Sequence, residues 1–306
     1  MTRISAIRCL NEGPVPNERP SPSSETVQLT GTRLVDPNKR RPLAPKSDLQ
    51  PERGSYRVEE IFGVNVAVLK RQSALSLILE RLQRGWPTSI AFANANLLMH
   101  ARHDRDLRNS LNKMLILNDG VGVDIASWWI HGSPFPENLN GSDFTPELLA
   151  RLPLGTRVFL YGAQRSVVEV AAKVLEARFP IVVAGWRDGF TQGPTSVACD
   201  INEAKAEVVL VALGNPFQEK WIAEFGPIVT APVLIAVGAY LDFAASQVSR
   251  APFWIRKIRL EWVYRLSREP RRLWKRYTIG VMGFLGALFI EWWRNVINKH
   301  PQIHLE

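Results

Sequence analysis

The chain has 306 residues, of which 46% are hydrophobic and 22% charged, and its formal net charge at pH 7 is +9. This length and apolar content suit one α/β domain or two small domains, and they exclude a chain that is disordered throughout. The sequence also lacks a Walker loop, a GxGxxG after a strand, a GxSxG elbow and a CxxC pair. Simple kinase, dehydrogenase, hydrolase and zinc-ribbon functions are therefore excluded.

Residues 1–55 differ in composition from the rest of the chain. They contain eight of the 21 prolines, mixed with Ser, Glu, Arg and Lys, and they show no hydrophobic periodicity. This composition predicts a disordered, proline-rich leader. The leader has no apolar run that suits a signal peptide, and Cys9 and Cys199 do not suggest a disulfide framework. We therefore expect a cytoplasmic protein.

Residues 56–248 predict a Rossmann-like α/β core, in which a mostly parallel sheet carries helices on both faces. Short β-branched runs alternate there with helical patterns. Ser166 and Glu169 have the spacing of a capping box at the start of one helix. Ligands of open α/β sheets bind at the carboxyl ends of the strands, so functional residues are expected in the loops that follow them. The clearest predicted strands are 158–161, 181–184, 208–213 and 233–237, and the clearest helices are 195–206 and one that Pro216 opens.

Two of these loops carry polar residues with catalytic potential. Asp119 follows the apolar run 114–117 and precedes a predicted helix, so its carboxylate would stand at the sheet edge as a general base. A helix cap is an equally good interpretation of this aspartate. The second loop places Gln218 and Glu219 in the first turn of a helix, where free N–H groups favour phosphate. An ordinary strand-to-helix turn has the same composition.

His100, His103, Asp104 and Asp106 lie within seven residues of one another. These residue types bind metals, but on a helix the four positions do not share one face. The sequence therefore favours a solvated charged surface over a metal site.

Residues 249–300 predict a basic, tryptophan-rich helical appendage. Between Arg250 and Lys299, twelve Lys and Arg oppose three acids, and this excess equals the net charge of the whole chain. Basic residues interleaved with aromatics suit a membrane interface or nucleic acid, because both present phosphates. Apolar residues recur at every fourth position and predict one apolar stripe, which favours an amphipathic, membrane-binding helix. The stripe consists of Trp254, Ile258, Trp262 and Leu266.

Pro270 is expected to end this helix, and residues 278–290 follow as thirteen residues without a charge. Spanning a bilayer takes roughly 20 apolar residues, so we expect this run to lie on or dip into a membrane. The alternative is an amphipathic helix that packs on its own domain.

Several short motifs are each weak alone but specific in combination. They are Asn94-Ala95, Asn118 to Gly122, Gly141-Ser142-Asp143, Tyr161-Gly162-Ala163, Leu213 to Glu219, Asp242-Phe243 and several positions between Arg250 and Tyr277. With this combination, across roughly residues 57–278, the chain resembles the WecG/TagA/CpsF family of membrane-associated glycosyltransferases.

The resemblance implies transfer of a sugar from a nucleotide donor to a polyprenyl-diphosphate-linked sugar, with inversion at the anomeric carbon and no metal or other cofactor. It implies that Asp119 is the catalytic base, which deprotonates the acceptor hydroxyl. The implied donor-binding residues are Asn94, Asn138, Gln218 and Asp242, the last of them near the uracil. The implied ligands of the acceptor diphosphate are Arg265, Arg272 and Lys275.

The chain departs from the family pattern at two positions. Phe92 stands where a threonine is common, and Asn138 where an arginine is common. The missing arginine weakens the expectation that this position stabilises the leaving group. Both departures suggest a different pair of sugars.

Within the family, the leader and residues 94–108 look most like the enzyme of xanthan-type exopolysaccharide assembly. This resemblance implies a hexosyltransferase that moves glucose in β-1,4 linkage from UDP-glucose to glucosyl-diphosphate-polyprenol and forms lipid-linked cellobiose. It would act peripherally at the cytoplasmic face of the bacterial inner membrane, with other polysaccharide-assembly glycosyltransferases as further partners. Three alternatives stay open: transfer of N-acetylmannosamine or its uronate to lipid-linked N-acetylglucosamine, a basic nucleic-acid-binding protein, and a non-catalytic membrane scaffold.

Overall fold

The computed structural model describes residues 56–190, 193–246, 261–268 and 279–299. The described chain opens with an antiparallel hairpin of β1 (Val58–Ile61) and β2 (Val64–Ala67). A six-stranded sheet follows, with the strand order β4-β3-β8-β7-β5-β6 and only parallel pairings. Its strands are β3 (Thr88–Ala93), β4 (Leu115–Asn118), β5 (Thr156–Gly162), β6 (Ile181–Arg187), β7 (Val208–Ala212) and β8 (Val233–Ala236).

Helices cover both faces of this sheet, as the sequence predicts. Successive residues of β5 alternate between two buried apolar clusters: Phe159 and Tyr161 enter one, and Val158 and Leu160 the other. This alternation is the two-residue period of a strand whose faces are both covered. The helices are α1 (Arg71–Arg84), α2 (Ala95–His103), α3 (Arg105–Leu111), α4 (Val121–His131), α5 (Gly141–Leu149), α6 (Arg165–Arg178), α7 (Pro194–Glu203), α8 (Phe217–Phe225), α9 (Tyr240–Ala244), α10 (Glu261–Arg268) and α11 (Ile279–Lys299).

The strands predicted in the second half are confirmed to within a few residues, but the predicted capping box is wrong. The helix α6 begins at Arg165, so Ser166 lies inside its first turn and Gln164 occupies the N-cap position. The reason is the preceding turn, in which Ala163 takes a positive φ of 58° directly after β5. The chain therefore enters the helix earlier than the sequence pattern indicates.

The helix α11 packs on its own domain, which is the alternative left open for residues 278–290. Phe284, Ala287 and Leu288 are buried in the same apolar cluster as α2 and α4. The Phe284 ring meets Phe62 edge-on, with 5.6 Å between ring centroids. It also lies close to Gly122, in the first turn of α4. Among the described helices, none is both long and apolar enough to cross a bilayer.

Several predictions for the two ends of the chain lie outside the described residues. These include the leader 1–55 and the stripe residues Trp254 and Ile258. In α10 the backbone is described, but the side chain of Trp262 is not. The predicted domain boundaries and the membrane-binding role of the appendage stay predictions.

Candidate active site

The carboxyl ends of four neighbouring strands bring the predicted site loops to one edge of the sheet. The strand β3 leads to α2 on one face, while its neighbour β8 leads to α9 on the other face. Loops that diverge in this way leave the crevice where open α/β sheets bind ligands. Asn94 directly follows β3, and Asp242 lies in α9, just after β8. Asp119 after β4 and Gln218 after β7 lie one strand farther out, and neighbouring strands are about 4.8 Å apart.

Asp119 lies between β4 and α4, partly buried. Its backbone N–H donates to the carbonyl of Ala93 at the end of β3, at 2.7 Å. The N-cap residue of α4 is Gly120, whose φ of 94° suits glycine. The N-cap position therefore belongs to Gly120, and Asp119 precedes it by one residue.

A short segment between α4 and α5, residues 137–139, fixes the backbone around Asp119. It forms three hydrogen bonds with residues 118–120. They join Leu139 N–H to Asn118 O at 3.1 Å, Asn118 Nδ2 to Glu137 O at 2.8 Å, and Gly120 N–H to Asn138 Oδ1 at 3.0 Å. Asn138 is thus a positioning residue for the Asp119 loop.

The other side of this segment is held by the first residue of α1. The backbone N–H of Arg71 donates to Glu137 Oε2 at 2.9 Å, and its Nη2 donates to the carbonyl of Asn138 at 2.8 Å. The amino end of α1 therefore supports the segment that holds the Asp119 loop.

Asn94 and Gln218 both have defined contacts with the protein itself. Asn94 caps α2, since its Oδ1 accepts from Leu97 N–H at 3.0 Å. Gln218 is buried, and its Oε1 accepts from Gly238 N–H at 3.0 Å, which ties α8 to the loop that leads to Asp242. Contacts from Asn94, Asn138, Gln218 and Asp242 to a donor stay predictions.

Glu219, next to Gln218, is completely buried in the first turn of α8. Gln218 Nε2 donates to Glu219 Oε1 at 2.8 Å and also lies 3.3 Å from Asn215 Oδ1. Among the described residues, Glu219 Oε2 has no hydrogen-bond partner. Burial raises the pKa of this carboxyl to about 7, and the bond from Gln218 opposes the rise. The sequence places Glu219 in the site loop, but it does not show that the side chain is buried.

The sequence model of the family described as "Glycosyl transferase WecG/TagA/CpsF family" matches residues 59–298. The chain belongs to this family. It is 36% identical over 190 residues to the N-acetylglucosaminyldiphosphoundecaprenol N-acetyl-beta-D-mannosaminyltransferase of Bacillus subtilis (strain 168), covering 61% of this chain and 73% of that relative. Proteins of the same name match from Bacillus spizizenii, at 35% over 163 residues with 53% and 63% covered, and from Staphylococcus aureus (strain MW2), at 28% over 195 residues with 63% and 76% covered.

The names of these relatives contradict the prediction of glucosyl transfer and of a xanthan-type enzyme, because all three are N-acetylmannosaminyltransferases. That prediction depended on the leader and on residues 94–108, which form α2 and the start of α3. Asp104, a charged residue of that segment, serves the fold. Asp104 caps α3 through Leu107 N–H at 2.9 Å and pairs with Lys220 at 2.7 Å. Such contacts carry no information about a sugar.

The contacts of Asp104 also bear on the alternative that this segment binds a metal ion. The backbone bond from Leu107, followed by the contact with Lys220, lowers the pKa of Asp104. His100, His103 and Asp106 are exposed. Within the described ranges, no group of three or more His, Cys, Asp or Glu side chains could hold a metal ion. Three of the four side chains thus lie on the surface, in agreement with the predicted solvated charged surface.

Of the two departures from the family pattern, Phe92 belongs to the core. Its ring is buried against Phe144, with 6.0 Å between ring centroids. A Cβ on Gly141 would lie 2.9 Å from the Phe92 ring, so glycine is needed there for this packing. The departure at position 92 therefore lies in the core cluster.

Replacement of Asn138, the second departure, should show whether this residue acts through the Asp119 loop. We expect Asn138→Ala to lower kcat about fivefold with little change in the donor KM, because a hydrogen bond worth about 1 kcal/mol is lost from the loop. Asn138→Asp keeps an acceptor oxygen for Gly120 N–H and should recover most of kcat. Steady-state kinetics with both variants checks this. A higher donor KM at unchanged kcat would instead place Asn138 on the donor.

The acceptor-binding residues implied by the resemblance remain untested in this family member. Arg272 and Lys275 lie outside the described residues. Arg265 belongs to α10, but its side chain is not described.

Proposed function

We propose that the protein transfers N-acetylmannosamine, with inversion, from its UDP conjugate to an N-acetylglucosamine that is linked to a polyprenyl diphosphate. The observation that carries this proposal is the placement of Asp119. It stands at the crevice edge of the sheet, one strand from the switch point, on a backbone held by Ala93 and by Asn138 through Gly120. The family, and the reaction for which its relatives are named, supply the chemistry.

In the proposed reaction, the hydroxyl oxygen of the acceptor attacks C1 of the donor sugar from the face opposite UDP. Asp119 takes the hydroxyl proton as the new C–O bond forms. The bond between C1 and the UDP oxygen breaks, and UDP leaves with the bonding electrons. Asn94 and Asp242, which flank the crevice, are proposed to hold the donor, and Gln218 to assist them.

We also propose that the acceptor diphosphate is neutralised by Arg265, Arg272 and Lys275, since the basic excess of the chain lies in that segment. Positive charge there would hold the protein peripherally at the anionic cytoplasmic face of the membrane. The reaction as proposed uses no metal ion.

A transfer assay tests the proposal directly. UDP-N-acetylmannosamine and UDP-glucose are each combined with N-acetylglucosaminyl-diphosphate-lipid or glucosyl-diphosphate-lipid, and UDP release and product linkage are measured. We expect turnover only with UDP-N-acetylmannosamine and the N-acetylglucosamine acceptor, and an unchanged rate in EDTA. UDP release without any acceptor would identify a hydrolase. Comparable kcat/KM for UDP-glucose would contradict the proposed donor.

A further inference from the structure

An aromatic groove lies between α4 and α11. It has a volume of about 470 Å³ and is lined by Trp128, Trp129, Phe289 and Trp292. Trp128 is 59% exposed and Phe289 is 52% exposed. The volume falls within the roughly 300–1,000 Å³ range of ligand pockets. These lining side chains are all aromatic, which suits an apolar occupant better than a sugar or a nucleotide.

The groove is connected to the candidate active site by a single helix. Asp119 precedes α4 by two residues, and Trp128 lies near the other end of that helix. At about 1.5 Å per residue, nine residues separate the two by about 13 Å. At the near end, Phe284 of α11 lies against the first turn of α4, where a Cβ on Gly122 would stand 3.7 Å from its ring.

This separation agrees with the chemistry of the proposed acceptor. One sugar ring and two phosphates stand between its attacking hydroxyl and its first isoprene unit. A groove that holds the hydrocarbon chain therefore belongs well away from the base.

The aromatic residues of α11 form a continuous apolar surface along the groove. Phe289 lies 5.9 Å from Trp292 and 6.3 Å from Trp293 between ring centroids. Exposure of these aromatic rings to water is unfavourable, and burying them against a hydrocarbon chain lowers the free energy. In the sequence, α11 begins three positions after the end of the basic run 271–276, whose charge complements a diphosphate. An isoprenoid diphosphate combines the two features that this part of the chain offers.

We propose that the groove of Trp128, Trp129, Phe289 and Trp292 binds the first isoprene units of the lipid-linked acceptor. This inference rests on the proposed function and adds a chain-binding subsite to it. The groove thereby selects acceptors by their lipid chain, independently of the sugar.

The test compares Trp128→Ala and Trp292→Ala with the matched control Trp86→Ala, an exposed tryptophan next to the amino end of β3. Two acceptors carry the same sugar diphosphate, one on a long isoprenoid chain and one on a methyl group. We expect the groove variants to raise the KM for the isoprenoid acceptor about tenfold, and to leave donor KM and turnover of the methyl acceptor unchanged. The Trp86 variant should match the wild type.

A binding measurement separates this inference from the proposed function. Farnesyl diphosphate, which carries no sugar, should quench tryptophan fluorescence of the wild type and bind about tenfold more weakly to Trp128→Ala. Such binding without transfer activity would refute the proposed function but would still support the subsite. Normal transfer with an unchanged isoprenoid KM in both groove variants would refute the subsite alone.

Two further outcomes would assign the groove to a different occupant and overturn the proposal. In the first, the groove variants bind acceptor-free phosphatidylglycerol vesicles about tenfold more weakly than the wild type but keep its affinity for farnesyl diphosphate. This result would indicate that the groove attaches the protein to the bilayer in general. The second is a dimer of the wild type, seen by sedimentation, that dissociates in Trp128→Ala.

Discussion

Asp119→Asn should lower kcat by roughly a hundred- to ten-thousand-fold, with the KM of each substrate within about twofold of the wild type. Asparagine keeps the size of the side chain but cannot accept the hydroxyl proton in the attack on C1. The loop itself should not move, because Asp119 is held through its backbone by Ala93 and the next residue is held by Asn138. The loss should therefore appear in the chemical step and not in binding.

The matched control is Asp106→Asn, which removes an exposed carboxylate from α3. It should turn over at the wild-type rate. Single-turnover kinetics with saturating lipid acceptor isolates the chemical step. An Asp119→Asn variant within about threefold of the wild-type rate would end the assignment of Asp119 as the base, whatever the sugars.

Glu219→Gln should make the protein more stable at pH 8 than the wild type, by up to about 3 kcal/mol. Burial raises the pKa of Glu219 from 4.5 to about 7, so the folded protein holds a proton that the unfolded chain releases. Stability therefore falls as the pH rises through this interval and levels off above it. Glutamine carries no charge at any pH and removes this dependence, while its carbonyl still accepts from Gln218.

Urea denaturation at pH 4.5 and pH 8, followed by tryptophan fluorescence, measures the difference. The two proteins should be close in stability at pH 4.5 and diverge at pH 8. Glu203→Gln, an exposed carboxylate on α7, serves as the control and should track the wild type at both pH values. Parallel stability profiles for the wild type and Glu219→Gln would show that the pKa of the buried carboxyl is not raised.

The parallel sheet could be predicted because its strands are buried on both faces and therefore appear as uninterrupted apolar runs. The run 208–213 shows this clearly and became β7. The location of Asp119 followed from the rule that loops at the carboxyl edge bind ligands. The hydrogen bonds that hold the Asp119 loop could not be predicted, since Asn138 and Gly120 lie 18 positions apart in the sequence.

Burial was the other property that the sequence did not reveal. Residues 278–290 are apolar whether they face lipid or protein, and only the packing of Phe284 against Phe62 distinguishes the two. In the sequence, Glu219 is likewise an ordinary acidic residue at the start of a helix. Only the packing of α8 on the sheet shows that its side chain is buried. The resemblance of the leader and of residues 94–108 led to the wrong sugar, because none of the contacts described in that segment involves a sugar.

The packing of α11 also limits what shortening the chain can reveal. Removing everything after residue 248 would delete Phe284, Ala287 and Leu288 and would uncover the apolar surface of α2 and α4 beneath them. At about 1.5–3 kcal/mol for each large buried side chain, the loss would consume a substantial part of a typical domain's stability. An inactive truncated protein would therefore be as consistent with a damaged core as with a lost lipid contact. Single substitutions on the exposed side of α11 separate the two, because they leave the buried side intact.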